Sequence, residues 1–221
     1  MNVLDFNDGK ETSATQGAYL RLRELILTGQ LKPGEKLKIE QLRGLLNTGA
    51  SPVREALSLL TSDMLVERLD QRGFRAAPVS RSNFNEILLL RCNMEEEALR
   101  ASLANADADW EEALVLAHHR MQKASKQRSS DFELAHKAFH MALLAKADLP
   151  LLARYCDQLY DLNIRYRFLA AGVSSYGERS IEAEHQGIFE AALERNADLA
   201  ALLLKDHYKR TGQYLGRQFE D

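Results

Sequence analysis

The chain has 221 residues, 45% of them apolar, and a formal charge of −3 at pH 7. That length suits two domains better than one, and no run approaches the roughly 18 apolar residues of a membrane span. The two cysteines, Cys92 and Cys156, make no disulfide framework and fit a reducing, cytoplasmic setting.

Residues 1–13 are polar and mildly acidic, neither a signal peptide nor a basic arm, and read as a disordered segment. A first domain follows over 14–78. Tyr19, Leu22, Leu25 and Ile26 mark an amphipathic helix that Gly29 can end, and Lys32-Pro33-Gly34-Glu35 has turn chemistry. A second helix is predicted from Ile39 to Leu46, broken by Asn47-Thr48-Gly49. The third opens at Ser51, a good N-cap, with Pro52 in its first turn, and carries the stripe Val53, Leu57, Leu60, Met64. Arg54 lies off that stripe near the positive end of the helix, where a phosphate would be favoured. Leu65 to Leu69 and Gly73 to Ala77 read as two strands joined through Asp70-Gln71-Arg72, a hairpin wing with Arg72 at its tip. Two helices on a Gly-containing turn, followed by a wing, predict a winged helix-turn-helix. Residues 14–78 hold 10 basic against 7 acidic side chains and 79–221 hold 18 against 22. That asymmetry is compatible with DNA binding, but ordinary surface scatter produces it as well.

Pro78 to Arg81 reads as the linker to a second, all-helical domain over 79–221. Helices are predicted near 82–106, 110–127, 131–147, 150–171, 180–195 and 197–219, with breaks at Asn105–Asp109, Ser129–Ser130, Asp148–Pro150 and Gly172–Gly177. Such short connections predict an antiparallel bundle, so the fold class is mostly α with one small β-hairpin. His136 and His140, four apart, share a helix face, while His185 and His207 share inward stripes with Ile181, Ile188, Leu203 and Leu204. They are either core histidines or one convergent metal site, since imidazole suits Zn, Ni, Cu and Fe. Arg91 lies on the apolar face of its helix, either paired with Glu95 at i+4 or serving as a clamp for a carboxylate. Arg165 and Arg167 form a second candidate pair, at least one of them a snorkelling surface residue. The stripe Tyr155, Leu159, Leu162, Tyr166, Leu169 reads as core, and adjacent His118 and His119 point apart and receive no role.

The segments "ILTGQLKPGEKL", "SPVREALSLL" and "RGFRAAPVS" resemble the DNA-binding domain of the GntR family of bacterial transcription regulators. "FELAHKAFHMALLAKADLPLL" and "EHQGIFEAALERNADLAALLLKDH" resemble the effector domain of its FadR subfamily, the FCD type. The resemblance implies a homodimer on an inverted-repeat operator, with Ser51, Pro52 and Arg54 at the helix end and Arg72 and Gly73 at the wing. It also implies a divalent metal held by His136, His140, His185 and His207, and a small organic acid as effector, with Arg91 and Arg165 as candidate partners. Repression relieved by the effector is the commoner behaviour of the family. This chain departs from the pattern at Ala50 and Glu40, where relatives carry basic residues, and at Met64, which replaces a common Gly and reads as a packing change. His136 stands where many relatives have Asp, which leaves open a four-His site, a three-His site with His136 elsewhere, or no stable metal. If it ligates, an all-imidazole shell favours Zn, Ni or Co over Mn and leaves the full charge of the ion to attract an anion. The competing class is a metal-dependent hydrolase, since three His with an open position also describe hydrolytic zinc sites.

Overall fold

The structure, a computed structural model, describes residues 13–127, 131–170 and 180–219. The expected N-terminal segment before Ser13, and the expected breaks at Ser129–Ser130 and Gly172–Gly177, lie outside these residues. The chain divides into two compact units, Met1–Val79 and Ser80–Asp221.

In the first unit, α1 (Ala14–Leu27) starts at Ser13, whose hydroxyl accepts from the Gln16 amide at 3.1 Å. It buries Leu22, Leu25 and Ile26 and packs on α3 (Ala50–Ser62). α3 presents Val53, Ala56, Leu57 and Leu60 inward, all fully buried. Each of the larger ones contributes roughly 1.5–3 kcal/mol of burial, so this face fixes the orientation of the helix. Between them α2 (Ile39–Leu46) ends at Asn47, which takes the left-handed φ of 48° that Asn tolerates better than most residues.

Two expectations for α3 need correction. Ser51 is not its N-cap: the helix begins at Ala50, Gly49 is the extended cap residue, and the Ser51 hydroxyl turns instead to Glu55 at 3.2 Å. Met64 does not extend the apolar stripe, because the helix ends at Ser62 and Met64 follows at φ 60°, with 54% of its surface exposed. Its difference from relatives is therefore one of backbone conformation, not packing.

The wing has three strands where two were expected. β2 (Val66–Leu69) pairs antiparallel with β3 (Gly73–Ala76), Leu69 opposite Gly73. β1 (Lys36–Leu37) pairs with the other edge of β3, giving the order β1-β3-β2. The predicted turn before β1 is present, with Glu35 N–H donating to Lys32 at 3.0 Å and Gly34 at φ 75°.

The second unit contains α4 (Arg81–Ala104), α5 (Ala108–Lys126), α6 (Phe132–Leu143), α7 (Pro150–Ala170), α8 (Ile181–Leu193) and α9 (Ala197–Leu215), closed by a short 3-10 turn, Gly216–Gln218. Arg81, expected in the linker, is helical; Ser80 caps α4 by accepting from Asn83 at 3.1 Å. Asp107 likewise caps α5 through the Trp110 amide at 2.9 Å, and α6 stops four residues short of its predicted end at 147. Leu99, Trp110, Leu114, Phe139, Leu143, Ile188 and Leu204 form the apolar core. α4 and α9 approach closely: a Cβ on Gly212 would lie 2.2 Å from Leu88 Cδ2. Both cysteines are buried free thiols.

Candidate functional site

The start of α3 is an exposed helix end that carries Arg54 beside Glu55. Ser51 and Arg54 are exposed, and no side chain caps the first-turn N–H groups at Gly49. Glu55 accepts from Ser51 and from Thr15 at 2.7 Å, tying the start of α3 to that of α1. At the wing, Arg72 and Gly73 are exposed and Gly73 takes φ 92°, which a side chain would strain. Arg75 is held across the strands by Glu67 at 2.6 Å, and Arg43 by Glu40 at 2.7 Å. The carboxylate at position 40 therefore neutralises its neighbour instead of adding positive charge to this face.

The four histidines converge. One donor atom from each of His136, His140, His185 and His207 lies within 4.8 Å of all the others, and all four residues are buried. His136 Nε2 is 3.1 Å from His185 Nε2 and 3.3 Å from His140 Nε2. At metal–nitrogen distances of about 2.0–2.1 Å, neighbouring ligands around one ion stand about 3.0–3.4 Å apart, so these two separations match a coordination shell, and the wider ones would have to close around an ion.

Hydrogen bonds behind the rings decide the tautomers. Tyr208 donates its hydroxyl proton to Glu95, so its oxygen accepts from His140 Nδ1 at 2.9 Å. Glu184 accepts from His207 Nδ1 at 2.8 Å. Both histidines are thus Nδ1–H tautomers with the lone pair on Nε2, the arrangement that prepares imidazole for a metal. His136 Nδ1 meets the Tyr160 hydroxyl. Burial, and then the neighbouring imidazoles and Arg167, hold His136 well below the usual histidine range. Burial followed by His185 and His207 does the same for His140, and burial with His207 pushes His185 down to about 2. His140 and His207 thus aim lone pairs into a cluster of neutral imidazoles, and a divalent cation is a partner that suits them. The residues present fit a divalent metal.

A cavity of about 20 Å³ adjoins the cluster, lined in part by Leu88, Arg91, His136, Asn163, Arg167 and His207. Of the two sequence readings of Arg91, the ion pair is realised: its Nε donates to Glu95 at 2.6 Å, its Nη1 donates to Asn163 at 3.0 Å, and it stacks on Tyr208 at 4.1 Å. Its Nη2 is buried without a hydrogen-bond partner among the described residues. Burial works against its charge, and Glu95 together with Tyr208 and Tyr160 more than offsets that. Arg165 is buried but does not line this cavity, and burial lowers it to about 10. The residue that does line it is Arg167, which pairs with Glu133 at 3.0 Å and lies 3.4 Å from His136 Nδ1. His118 stacks on Phe189 at 4.1 Å as a buried core ring.

Sequence reasoning missed Tyr160, Tyr208 and Glu184 as partners of the histidines, and Glu95 as the acceptor behind Tyr208. The pairing of Glu184 with His207 joins α8 to α9, and no periodicity along one helix predicts a partner on another.

Among the described residues, no helix is long and apolar enough to cross a membrane. Residues 14–75 match the family described as bacterial regulatory proteins, gntR family, and residues 86–210 match the FCD domain, a class often associated with metal. The chain is 34% identical to the uncharacterized HTH-type transcriptional regulator BphR of Paraburkholderia xenovorans (strain LB400), over 88% of this chain and 82% of that one. It is 30% identical to the HTH-type transcriptional repressor GlaR of Escherichia coli (strain K12), over 89% and 93%. The fold is shared with E. coli McbR/YncC, at a TM-score of 0.79 and 21% identity over 94% of this chain and 99% of that one. These relatives are regulators and not enzymes, which removes the hydrolase alternative. The chain belongs to the GntR family of transcription regulators, with a winged helix-turn-helix joined to an all-helical FCD domain.

Proposed function

We propose that the protein is a cytoplasmic repressor that binds an inverted-repeat operator as a homodimer and is released by a small organic acid bound beside a metal. The observation that carries the effector reading is Arg91. A buried guanidinium with an unpartnered Nη2 lines a cavity walled by two of the four imidazoles. A carboxylate is a group that can both accept from the remaining Nη2 and fill an open metal position. Four neutral nitrogen ligands favour Zn or Ni over oxygen-preferring ions. Arg167 is the better second partner, since it, and not Arg165, lines the same cavity.

At the DNA, the exposed start of α3 supports Ser51, Pro52 and Arg54 as contacts, and the wing supports Arg72 and Gly73. Helix N–H groups without a side-chain cap, next to a cation, suit a phosphate. The repressor assignment is supported by the printed name of GlaR. A gel-shift titration on the DNA beside its own gene tests the reading. Binding should be sequence-selective, weaken steeply with salt, and be relieved by a small carboxylate only when metal is present. Binding of equal strength to unrelated DNA would overturn it.

A further inference from the structure

Two buried tyrosines stand behind the histidine rings, and they send their protons in opposite directions. Tyr208 passes its proton to Glu95 and accepts from His140 Nδ1. Tyr160 has no such carboxylate: among the described residues, the one hydrogen-bond partner of its hydroxyl is His136 Nδ1, at 2.5 Å. A buried hydroxyl proton left without an acceptor is costly, so Tyr160 donates to that nitrogen. Arg167 Nη1, 3.4 Å from the same nitrogen, can only donate. Glu133 brings an oxygen no nearer than 3.9 Å, beyond hydrogen-bond reach, and that oxygen is buried without a partner among the described residues. Two donors and no acceptor therefore face His136 Nδ1, which fixes the lone pair there and the proton on Nε2. His140 and His207 have the reverse tautomer, set by Tyr208 and Glu184.

We infer that His136 is not a ligand but the hydrogen-bond donor of the cluster, leaving His140, His185 and His207 to hold the metal. The two short separations, from His136 Nε2 to His185 Nε2 at 3.1 Å and to His140 Nε2 at 3.3 Å, are also within reach of N–H···N hydrogen bonds. One proton shared between two lone pairs satisfies the cluster while no ion is bound. A divalent ion draws on those same lone pairs and takes the place of the shared proton among them. Nε2 of His136 cannot ligate while it is protonated. Moving its proton to Nδ1 would set an N–H against the Tyr160 hydroxyl and Arg167 and leave a buried donor unmet. Three imidazoles with an open fourth position is an arrangement that zinc accepts. The group that fills that position meets the His136 N–H, so it has to be a hydrogen-bond acceptor. His136 is thus a positioning residue, itself held by Tyr160 and Arg167. The inference rests on the metal-bound reading above and narrows its four nitrogen ligands to three.

The test is nitrogen NMR of the isotope-labelled full-length protein, with Zn(II) as the metal probe, because ring nitrogens with and without a proton resonate far apart. In the chelator-treated protein His136 should carry its proton on Nε2, and His140 and His207 should carry theirs on Nδ1. On addition of Zn(II), the Nε2 signals of His140, His185 and His207 should move while His136 Nε2 stays protonated. His136→Gln should change Zn(II) affinity by less than about tenfold, and His140→Gln should lower it by more than about a hundredfold. A His136 proton on Nδ1 in the metal-free protein, loss of the Nε2 proton on Zn(II) binding, or an equal affinity loss in the two variants would overturn the inference. The NMR readings come from the wild type, so the test decides even if neither variant folds. Histidine signals that do not respond to Zn(II) at all would instead overturn the metal-bound reading itself.

Discussion

At position 64 a methionine occupies φ 60°, a left-handed conformation that costs an L-residue roughly 1–2 kcal/mol. Its side chain is mostly exposed and recovers little by packing. Met64→Gly should therefore stabilise the first unit by about 1 kcal/mol, read as a rise in the urea midpoint with unchanged slope. The sequence trace of it is the Gly that relatives commonly carry there, a mark of positive φ, while the strain itself depends on where α3 stops. Arg54 is the opposite case, an exposed side chain whose value lies in a partner. Arg54→Ala should leave the melting temperature unchanged and cost roughly 1–3 kcal/mol of operator binding. Undiminished operator affinity would show that the start of α3 is not docked as proposed. The four histidines were visible in the sequence because i, i+4 spacing and apolar neighbours fix a direction on a helix. Ser51 was misread because Gly49, with no side chain to signal it, is the cap.

The elements show the same division. Long helices with clear periodicity were legible, and their ends were not, since α5 and α6 are bounded by a local cap and by turn hydrogen bonds that composition does not reveal. β1 escaped notice because two residues show no alternation; it exists only through its pairing with β3. Close approach between helices was likewise hidden. Gly212 lets α9 meet Leu88 of α4, and Leu88 also lines the cavity beside the histidines. Gly212→Ala should gain helix propensity and still lose about 1–3 kcal/mol by overpacking. Adding Leu88→Ala should recover part of that loss in a double-mutant cycle, and strict additivity of the two costs would refute the contact.

For the whole molecule, the buried histidines make stability depend on pH in a defined direction. His136, His140 and His185 bind protons less readily folded than at their ordinary value of 6.5. Below that pH the unfolded chain takes up protons that the folded chain refuses. The metal-free protein should be most stable above about pH 6.5 and lose stability as pH falls, by at most about 1.4 kcal/mol per pH unit for each ring. Melting curves from pH 8 to 5.5, with and without chelator, measure this. Removing metal should lower the melting temperature at pH 8 as well, by loss of a ligand specific to the native state. A flat profile in the chelated protein would mean that the rings are hydrated and not buried.

The cavity beside Arg91 and the histidines measures about 20 Å³, room for about one water. The proposed organic acid, with even two carbons, could enter only by displacing the walls, so its arrival would be timed by the protein and not by diffusion. In stopped-flow mixing the observed association rate should level off with rising acid concentration, at the rate at which the cavity opens. If that opening is slow, such a sensor would average brief fluctuations in acid concentration and respond only to sustained ones.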